Sequence, residues 1–143
     1  MLEALKEANL AKEAGEIPVG AIVVKDNAII ARGHNLRESL LDVTSHAEIE
    51  AIRSAIKILN NWRLENCDLY VTLEPCPMCA GTILQSRIKR IVFGTYNYKN
   101  GSAGSVINVL DYPGLDWQTQ IESGILAPQC QNILDEFFSI KRL

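Results

Sequence analysis

The apolar residues of the N-terminal segment recur at every third position, which is the spacing of a helix with one buried stripe. This segment spans residues 1–14, and Gly15 follows at a position where helices commonly end. Similar patterns begin at His46 and near Pro128, a residue that suits the first turn of a helix. The apolar stripes of the three segments are Leu2, Leu5, Ala8 and Ala11; Ile49, Ile52, Ile56 and Leu59; and Ile133, Leu134, Phe137 and Ile140. The pattern therefore predicts three amphipathic helices.

Runs of apolar and β-branched residues lie between these helices and predict strands. Residues 20–24 and 28–31 predict a β-hairpin, because a short polar turn joins them. Residues 68–73 and 88–93 predict two further strands, and residues 77–87, which lie between them, predict a short helix. The segments predicted to form turns or loops are residues 25–27, 33–45 and 97–104. Helices that alternate with buried strands are typical of the α/β class, so we expect a three-layer α/β/α sandwich.

The composition is that of an ordinary globular domain. The chain has 143 residues, of which 48% are apolar and 22% charged, and this length matches a single domain over residues 1–143. No apolar stretch approaches the roughly 20 residues of a membrane span, and the N-terminal segment lacks the apolar run of a signal peptide. We therefore expect a cytoplasmic protein with reduced thiols and no membrane partner. Of its four cysteines, Cys67 and Cys130 are expected to be buried core thiols.

Two short motifs form a candidate metal centre. His46 and Glu48 form an H-x-E motif, and Cys76 and Cys79 form a P-C-x-x-C motif that follows 30 residues later. One imidazole and two thiolates are a normal ligand set for zinc, and three protein ligands leave the fourth tetrahedral position for water. This combination is the signature of zinc-dependent nucleobase deaminases. We therefore expect one Zn²⁺ per subunit, with Glu48 as the catalytic group that moves protons.

The local sequence places both motifs at helix N-termini. Ser45 can cap a helix that has His46 in its first turn, and Pro77 suits the first position of a helix capped by Cys76. Two helix N-termini would then point at one ion, and such a position favours the thiolate form of cysteine. Each motif alone has another explanation: Ser45 and Glu48 could form a capping box, the cysteines a dithiol redox pair, and His46 could be a core residue. The joint pattern favours the zinc site.

Further segments carry a family resemblance that covers almost the whole chain. These segments are EIPVGA (16–21), GHN (33–35), SHAE (45–48), LYVTLEPCPMCAG (69–81), SRI (86–88), VFG (92–94), GSAGS (101–105) and FF (137–138). They resemble the bacterial tRNA-specific adenosine deaminases. The resemblance implies a cytidine-deaminase-like fold, with a central mixed sheet of about five strands between helical layers. It also implies a homodimer that converts the wobble adenosine of a tRNA anticodon loop to inosine.

The resemblance also implies a pocket for a flat base. Ile17 and Val19, which belong to the family motif, would pack on the ring, although core packing would also explain them. Asn35 carries an amide that both donates and accepts, so it can read a purine edge, while a role in the loop is the alternative. The backbone N–H of Ala47, free in the first helical turn, is another expected base contact. Glu74 precedes a proline and is expected only to brace the turn.

Contacts with RNA are expected to be few, because the net charge of −3 excludes a broad basic surface. Asn97 stands where the family usually carries an aspartate near the ribose of the target nucleotide, so the preference for ribose over deoxyribose is open. Lys99, Phe138, Lys141 and Arg142 are expected to supply phosphate contacts and stacking for a splayed anticodon loop. A solvated helix end is the alternative for this basic tail.

Two other functions compete with RNA deamination. The same zinc chemistry could serve a deaminase of free nucleobases or nucleosides, of the guanine or cytosine type, and the acidic charge slightly favours it. A non-enzymatic zinc protein is the third candidate. It would require a fourth protein ligand at the metal and leave Glu48 only a capping role.

Overall fold

The computed structural model describes residues 1–141, and a five-stranded mixed sheet forms its centre. The strands are β1 (Gly20–Lys25), β2 (Ala28–His34), β3 (Cys67–Leu73), β4 (Arg90–Thr95) and β5 (Gln120–Ser123). Their order across the sheet is β2-β1-β3-β4-β5. The pairs β1–β2 and β1–β3 are antiparallel, whereas β3–β4 and β4–β5 are parallel. The parallel pairing brings the carboxyl ends of β3 and β4 to the same edge of the sheet.

Helices cover both faces of this sheet. They are α1 (Leu2–Glu13), α2 (Arg37–Leu40), α3 (Ala47–Leu59), α4 (Pro77–Gln85) and α5 (Ala127–Lys141). Helix α1 contacts α5, and α3 contacts α4, whereas among residues 1–141 neither pair contacts the other. The two pairs therefore lie on opposite faces, and the predicted three-layer α/β/α sandwich is confirmed. None of the described helices is long and apolar enough to cross a membrane.

Two glycines allow the helices to approach the sheet closely. A Cβ atom at Gly20 of β1 would overlap with the carbonyl oxygen of Ala4 in α1. A Cβ atom at Gly33 of β2 would lie 2.6 Å from the Ala47 carbonyl oxygen and 2.5 Å from the Ala51 nitrogen in α3. These contacts fix α1 and α3 against opposite faces of the β1–β2 hairpin, and α3 begins at the metal motif.

The predictions from the sequence failed only for segments that are short or polar. The three amphipathic helices, the short helix and the four predicted strands are present, with bounds that differ by a few residues. The prediction of a loop over residues 33–45 was wrong in part, because it contains α2 and the end of β2. Strand β5 was not predicted from any pattern, because three of its four residues are exposed at the edge of the sheet. Cys67 and Cys130 are buried, as expected.

Candidate active site

Three side chains that could hold one metal ion converge at the N-termini of α3 and α4. His46 is the N-cap residue of α3, Cys76 is the N-cap residue of α4, and Cys79 lies in the first turn of α4. The Nδ1 atom of His46 lies 3.6 Å from the Sγ atom of Cys76 and 3.5 Å from that of Cys79. One ligand atom from each of the three residues lies within 4.8 Å of the other two. Pro77 occupies the first turn of α4, as predicted, so the chain turns into the helix directly after Cys76.

Proton sharing within this group provides an anionic sulfur. The hydrogen bond from the Cys79 thiol, helped by one with His46, lowers the pKa of Cys76 to about 4 despite the opposing effect of burial. The same bond and burial raise the pKa of Cys79. The hydrogen bond with Cys76 also raises the pKa of His46. Because the thiolate is the form of cysteine that binds metals, the site is prepared for a cation.

Ser45 does not act as the predicted helix cap. The structure places His46 at the N-cap position and records no side-chain hydrogen bond that caps α3. The Oγ atom of Ser45 is buried and has no hydrogen-bond partner within residues 1–141. The prediction that Ser45 caps the helix is therefore wrong by one residue, because the backbone is still extended at His46 (φ −77°, ψ 159°) and the helix begins only after it. The capping-box explanation of Glu48 fails for the same reason.

Glu48 lies in the first turn of α3, and its side chain is 4% exposed. Burial raises the pKa of Glu48 to about 7. Its carboxylate does not belong to the described group of three ligand atoms. A carboxyl group with a pKa near neutrality, placed beside a metal site but outside its ligand set, is suited to accept and return protons.

A cavity of about 180 Å³ opens above these residues, and its floor includes His46, Glu48 and Cys76. The apolar part of its wall consists of Ile17, Val19 and Leu73. Ile17 and Val19 also pack in the hydrophobic core, so both the pocket role and the core role that were considered for them are structurally available. Such a cavity offers apolar faces to a flat ring and a reactive floor.

The polar part of the wall is formed by side chains that are themselves held in place. The Oδ1 atom of Asn35 accepts a hydrogen bond from the backbone N–H of Arg37 at 3.1 Å, and its Nδ2 atom donates to the Ile17 carbonyl at 3.4 Å. Asn35 therefore has the loop role considered for it and also lines the cavity. Arg37 lines the cavity too, although no sequence pattern had indicated it. Ala47 is fully buried.

Another part of the wall is formed by the loop after β4. Asn97 and Asn100 line the cavity, and the Oδ1 atom of Asn97 accepts hydrogen bonds from the N–H groups of Lys99 and Asn100. Glu74, which is 1% exposed, accepts hydrogen bonds from the N–H groups of three residues of this loop. The three donors are Asn97, Ala103 and Ser105. Glu74 thus braces the loop after β4 rather than only the turn before Pro75, and it also lines the cavity.

Lys99, Phe138 and Lys141, which were predicted to contact RNA, are not among the residues that line the cavity. Lys99 is exposed, and Phe138 is 40% exposed with its ring edge-to-face against Phe137 at 5.4 Å. The Nζ atom of Lys141 lies 5.4 Å from the Phe137 ring centroid. Arg142 lies outside the described residues. Their contacts with RNA stay predictions.

Known proteins share this fold and much of this sequence. Residues 1–142 match the model of the MafB19-like deaminase family. The tRNA-specific adenosine deaminase of Bacillus subtilis (strain 168) is 47% identical over 138 residues, which are 96% of this chain and 86% of the relative. A structure solved in a study of A-to-I editing by tRNA:A34 deaminases at the wobble position of transfer RNA is 42% identical. It superposes with a TM-score of 0.88 and covers 92% of this chain and 95% of that chain.

A protein with a different substrate in its name is less similar to this chain. The guanine deaminase from Bacillus subtilis is 33% identical, with a TM-score of 0.65 over 99% of this chain and 91% of that chain. Both the sequence identity and the TM-score are higher for the tRNA:A34 deaminase structure. The expected cytidine-deaminase-like fold is confirmed by that structure. The chain belongs to the MafB19-like deaminase family, among the tRNA-specific adenosine deaminases.

Proposed function

We propose that this protein is a zinc-dependent hydrolase that deaminates adenosine to inosine at the wobble position of a tRNA anticodon. The observation that carries the proposal is the convergence of His46, Cys76 and Cys79 beside buried Glu48, at the floor of a cavity with an apolar wall. The name of its relative from Bacillus subtilis, which is 47% identical, supports the substrate.

The distances between the ligand atoms support zinc as the metal. With Zn–S bonds of about 2.3 Å, a Zn–N bond of about 2.0–2.1 Å and tetrahedral angles, nitrogen and sulfur would lie about 3.5–3.6 Å apart. The corresponding distances from His46 are 3.5 and 3.6 Å. Three protein ligands with no fourth one in the described group are the pattern of a catalytic site rather than of a structural one.

Glu48 carries the proton transfers in this proposal. When bound, zinc would supply the Lewis acid that makes water nucleophilic near neutral pH. Glu48 would take the proton that water loses when its oxygen bonds to C6 of the adenine ring, and would deliver it to the adjacent ring nitrogen. It would then take the proton of the new C6 hydroxyl and pass it to the amine, so that the C–N bond breaks, ammonia leaves and the carbon keeps the oxygen as a carbonyl. The burial that raises the pKa of Glu48 favours its protonated form, which a group that must return protons needs.

The cavity wall would hold the base for this reaction. Ile17 and Val19 would pack against the ring, and the amide of Asn35 would contact the purine edge. The backbone N–H of Ala47 would donate to the base from the start of α3, and Asn97 would lie near the ribose. Lys99, Phe138, Lys141 and Arg142 would contact the rest of the anticodon loop.

We also propose that the chain is a single deaminase domain that works as a cytoplasmic homodimer. A cleft between α3 and α4 supports the dimer, because it is open to solvent and is lined by Ile52, Ile56 and Trp62 together with the polar residues Thr82, Gln85 and Ser86. Trp62 is 48% exposed, and an exposed apolar patch of this kind is typical of an interaction surface. Sedimentation as a fully active monomer would contradict the dimer.

The test is a comparison of substrates under one set of conditions. Zinc-loaded protein is incubated with an anticodon stem-loop RNA that carries adenosine at the wobble position, and separately with free adenosine, guanine and cytidine. Inosine is expected only in the stem-loop. Turnover of free bases or nucleosides alone would favour the free-nucleobase alternative. A folded, zinc-loaded protein without turnover of any substrate would favour a non-enzymatic zinc protein.

A further inference from the structure

Three aromatic rings form a ladder from the core to the surface beside the candidate active site. Phe93 of β4 is fully buried, and the ring of Tyr96 stands edge-on to it at 5.4 Å. The ring of Tyr98 lies 5.9 Å from that of Tyr96, with an interplanar angle of 32°. The hydroxyl groups of Tyr96 and Ser123 share a hydrogen bond of 3.0 Å, which anchors the middle ring. The outer ring is therefore supported on one side, while Tyr98 as a whole is 78% exposed.

The backbone beneath Tyr98 is fixed at the rim of the cavity. Tyr98 stands between Asn97 and Asn100, both of which line the cavity. The Asn97 side chain holds the N–H groups of Lys99 and Asn100, and buried Glu74 holds the N–H group of Asn97. A tyrosine on such a braced turn loses little further freedom on contact with a ligand, because two χ angles define its side chain.

The size of the cavity leaves the neighbouring nucleotides of a polymer outside. Its volume of about 180 Å³ lies below the roughly 300–1,000 Å³ of pockets that enclose drug-sized ligands, so it suits one base. In a single-stranded loop, the bases beside the inserted one are unstacked and need a partner. Exposed aromatic rings serve as that partner in proteins that bind single strands, because every base has a π-face.

We propose that Tyr98 is a stacking platform for the nucleobase next to the target nucleotide of a single-stranded RNA. This proposal rests on the function proposed above and adds a substrate contact to it. The contact does not depend on charge, in contrast to phosphate contacts of Lys99. It therefore contributes to affinity without contributing to its salt dependence.

The experiment compares Tyr98→Ala, Tyr98→Phe and Tyr98→Leu in the zinc-loaded protein, with the same stem-loop RNA. Stacking by one base corresponds to about 1–3 kcal/mol, so Tyr98→Ala should raise Kd and KM by about 5- to 150-fold, with kcat nearly unchanged. Tyr98→Phe should bind the RNA like the wild type. Tyr98→Leu should raise Kd nearly as much as Tyr98→Ala, because leucine has no π-face for stacking. The dependence of Kd on salt should keep its slope in all three variants.

Two controls make the result specific. Two stem-loops are compared, one with an abasic nucleotide before the target and one with an abasic nucleotide after it. The wild type should bind only one of these two RNAs more weakly than the intact stem-loop. For that RNA, Tyr98→Ala should cause no further loss of affinity. Tyr112→Ala is the matched variant, because Tyr112 is 60% exposed, makes no ring contact with another described aromatic residue and does not line the cavity. It should leave Kd unchanged. An equal loss for Tyr112→Ala, or a Tyr98→Ala penalty that persists on both abasic substrates, would overturn the platform.

Binding is measured by fluorescence anisotropy in addition to turnover, so that the two proposals can fail separately. A wild type that binds the stem-loop without forming inosine would refute the proposed function, and the Tyr98 variants would still decide on the platform. A wild type that deaminates the stem-loop with Kd and KM unaffected by Tyr98→Ala would refute the platform alone. A wild type that does not bind the RNA at all would refute both.

Discussion

Replacing Glu74 by glutamine tests how one wall of the cavity is held in place. Its Oε1 atom accepts a hydrogen bond from Asn97 at 3.1 Å, and its Oε2 atom accepts bonds from Ala103 at 3.0 Å and Ser105 at 3.1 Å. A glutamine can keep its oxygen towards Ala103 and Ser105, but its NH₂ group then faces the N–H of Asn97. The hydrogen bond with Asn97 is therefore lost, because two donors face each other. The bonds from Ala103 and Ser105 remain but become weaker, because their acceptor no longer carries a negative charge.

The size of this effect follows from these three bonds. A hydrogen bond to a charged group contributes about 1.5–3 kcal/mol and one between neutral groups about 1 kcal/mol. The loss of one bond and the weakening of two others should therefore destabilise the protein by roughly 2.5–7 kcal/mol. For a domain of this size, that corresponds to a decrease in Tm of about 8–20 °C.

Thermal unfolding of zinc-loaded protein, followed by circular dichroism, measures this change. Glu65→Gln is the matched control, because the Glu65 side chain is 51% exposed and its nearest cation, Arg63, lies 3.9 Å away. Its effect should stay within about 0.5 kcal/mol. The metal content should not change in either variant. A Glu74→Gln protein whose Tm lies within 2 °C of the wild type (about 1 kcal/mol or less) would refute the role assigned to the three bonds.

Three further predictions address catalysis, packing and pH. Glu48→Ala should keep the fold and the bound metal but lose turnover by at least about 100-fold, as measured by inosine formation; near-normal turnover would contradict the proton-transfer role. Gly33→Ala should destabilise the protein by at least 1–3 kcal/mol in urea unfolding, because its Cβ would meet the α3 backbone. Gly81→Ala, in open space within α4, should be neutral or stabilising by up to about 1 kcal/mol, and equal effects would contradict the close-packing argument. Burial alone would raise the pKa of Glu16, but hydrogen bonds from Ser39 and from the Glu38 N–H lower it. Glu16 should therefore make the protein more stable than Glu16→Gln, with the full difference above about pH 4.5. This difference should disappear as the pH falls below the lowered pKa. A difference in unfolding free energy that stays constant from pH 7 to pH 3 would contradict it.

The long elements could be predicted because each of them buries one side. Helix α3 shows this well, since Ile49 and Ile52 are buried at helical spacing. Strand β5 (Gln120–Ser123) has no such pattern, because a polar edge strand is held by backbone hydrogen bonds rather than by burial of its side chains. Helix α2 (Arg37–Leu40) is a single turn whose N–H groups are bound by the carboxylate of Glu16, more than 20 residues earlier. A contact over such a distance leaves no local signal.

The residues of the candidate site also differ in whether a local sequence pattern indicates them. The three residues that converge as candidate metal ligands could be picked out from the sequence, because the chemistry of a zinc site fixes their types and their spacing within each motif. Arg37 could not be found, because its place at the cavity depends on the Asn35 side chain and on Glu16, which together position the turn that carries it. Phe138 and Lys141 were predicted from a resemblance at the end of α5, and the packing of that helix leaves them outside the cavity wall.

The proposed metal site would also explain why two helices begin without a side-chain cap. His46 and Cys76 occupy the N-cap positions of α3 and α4, yet neither side chain caps its helix with a hydrogen bond. The backbone at Cys76 is extended (φ −75°, ψ 174°), which is the conformation that a serine cap requires. Cys76→Ser should therefore stabilise the metal-free protein by about 0.5–2 kcal/mol relative to Cys76→Ala.

Chemical unfolding in the presence of a chelator measures this difference without the metal. Without chelator, both variants should bind zinc more weakly than the wild type, because each lacks one thiolate ligand. A Cys76→Ser protein that is no more stable than Cys76→Ala in chelator would show that the start of α4 does not need a cap. The expected result would mean that a cysteine at this helix end serves the proposed metal site at some cost in stability, because its sulfur is a weaker acceptor for the helix N–H groups than a serine oxygen.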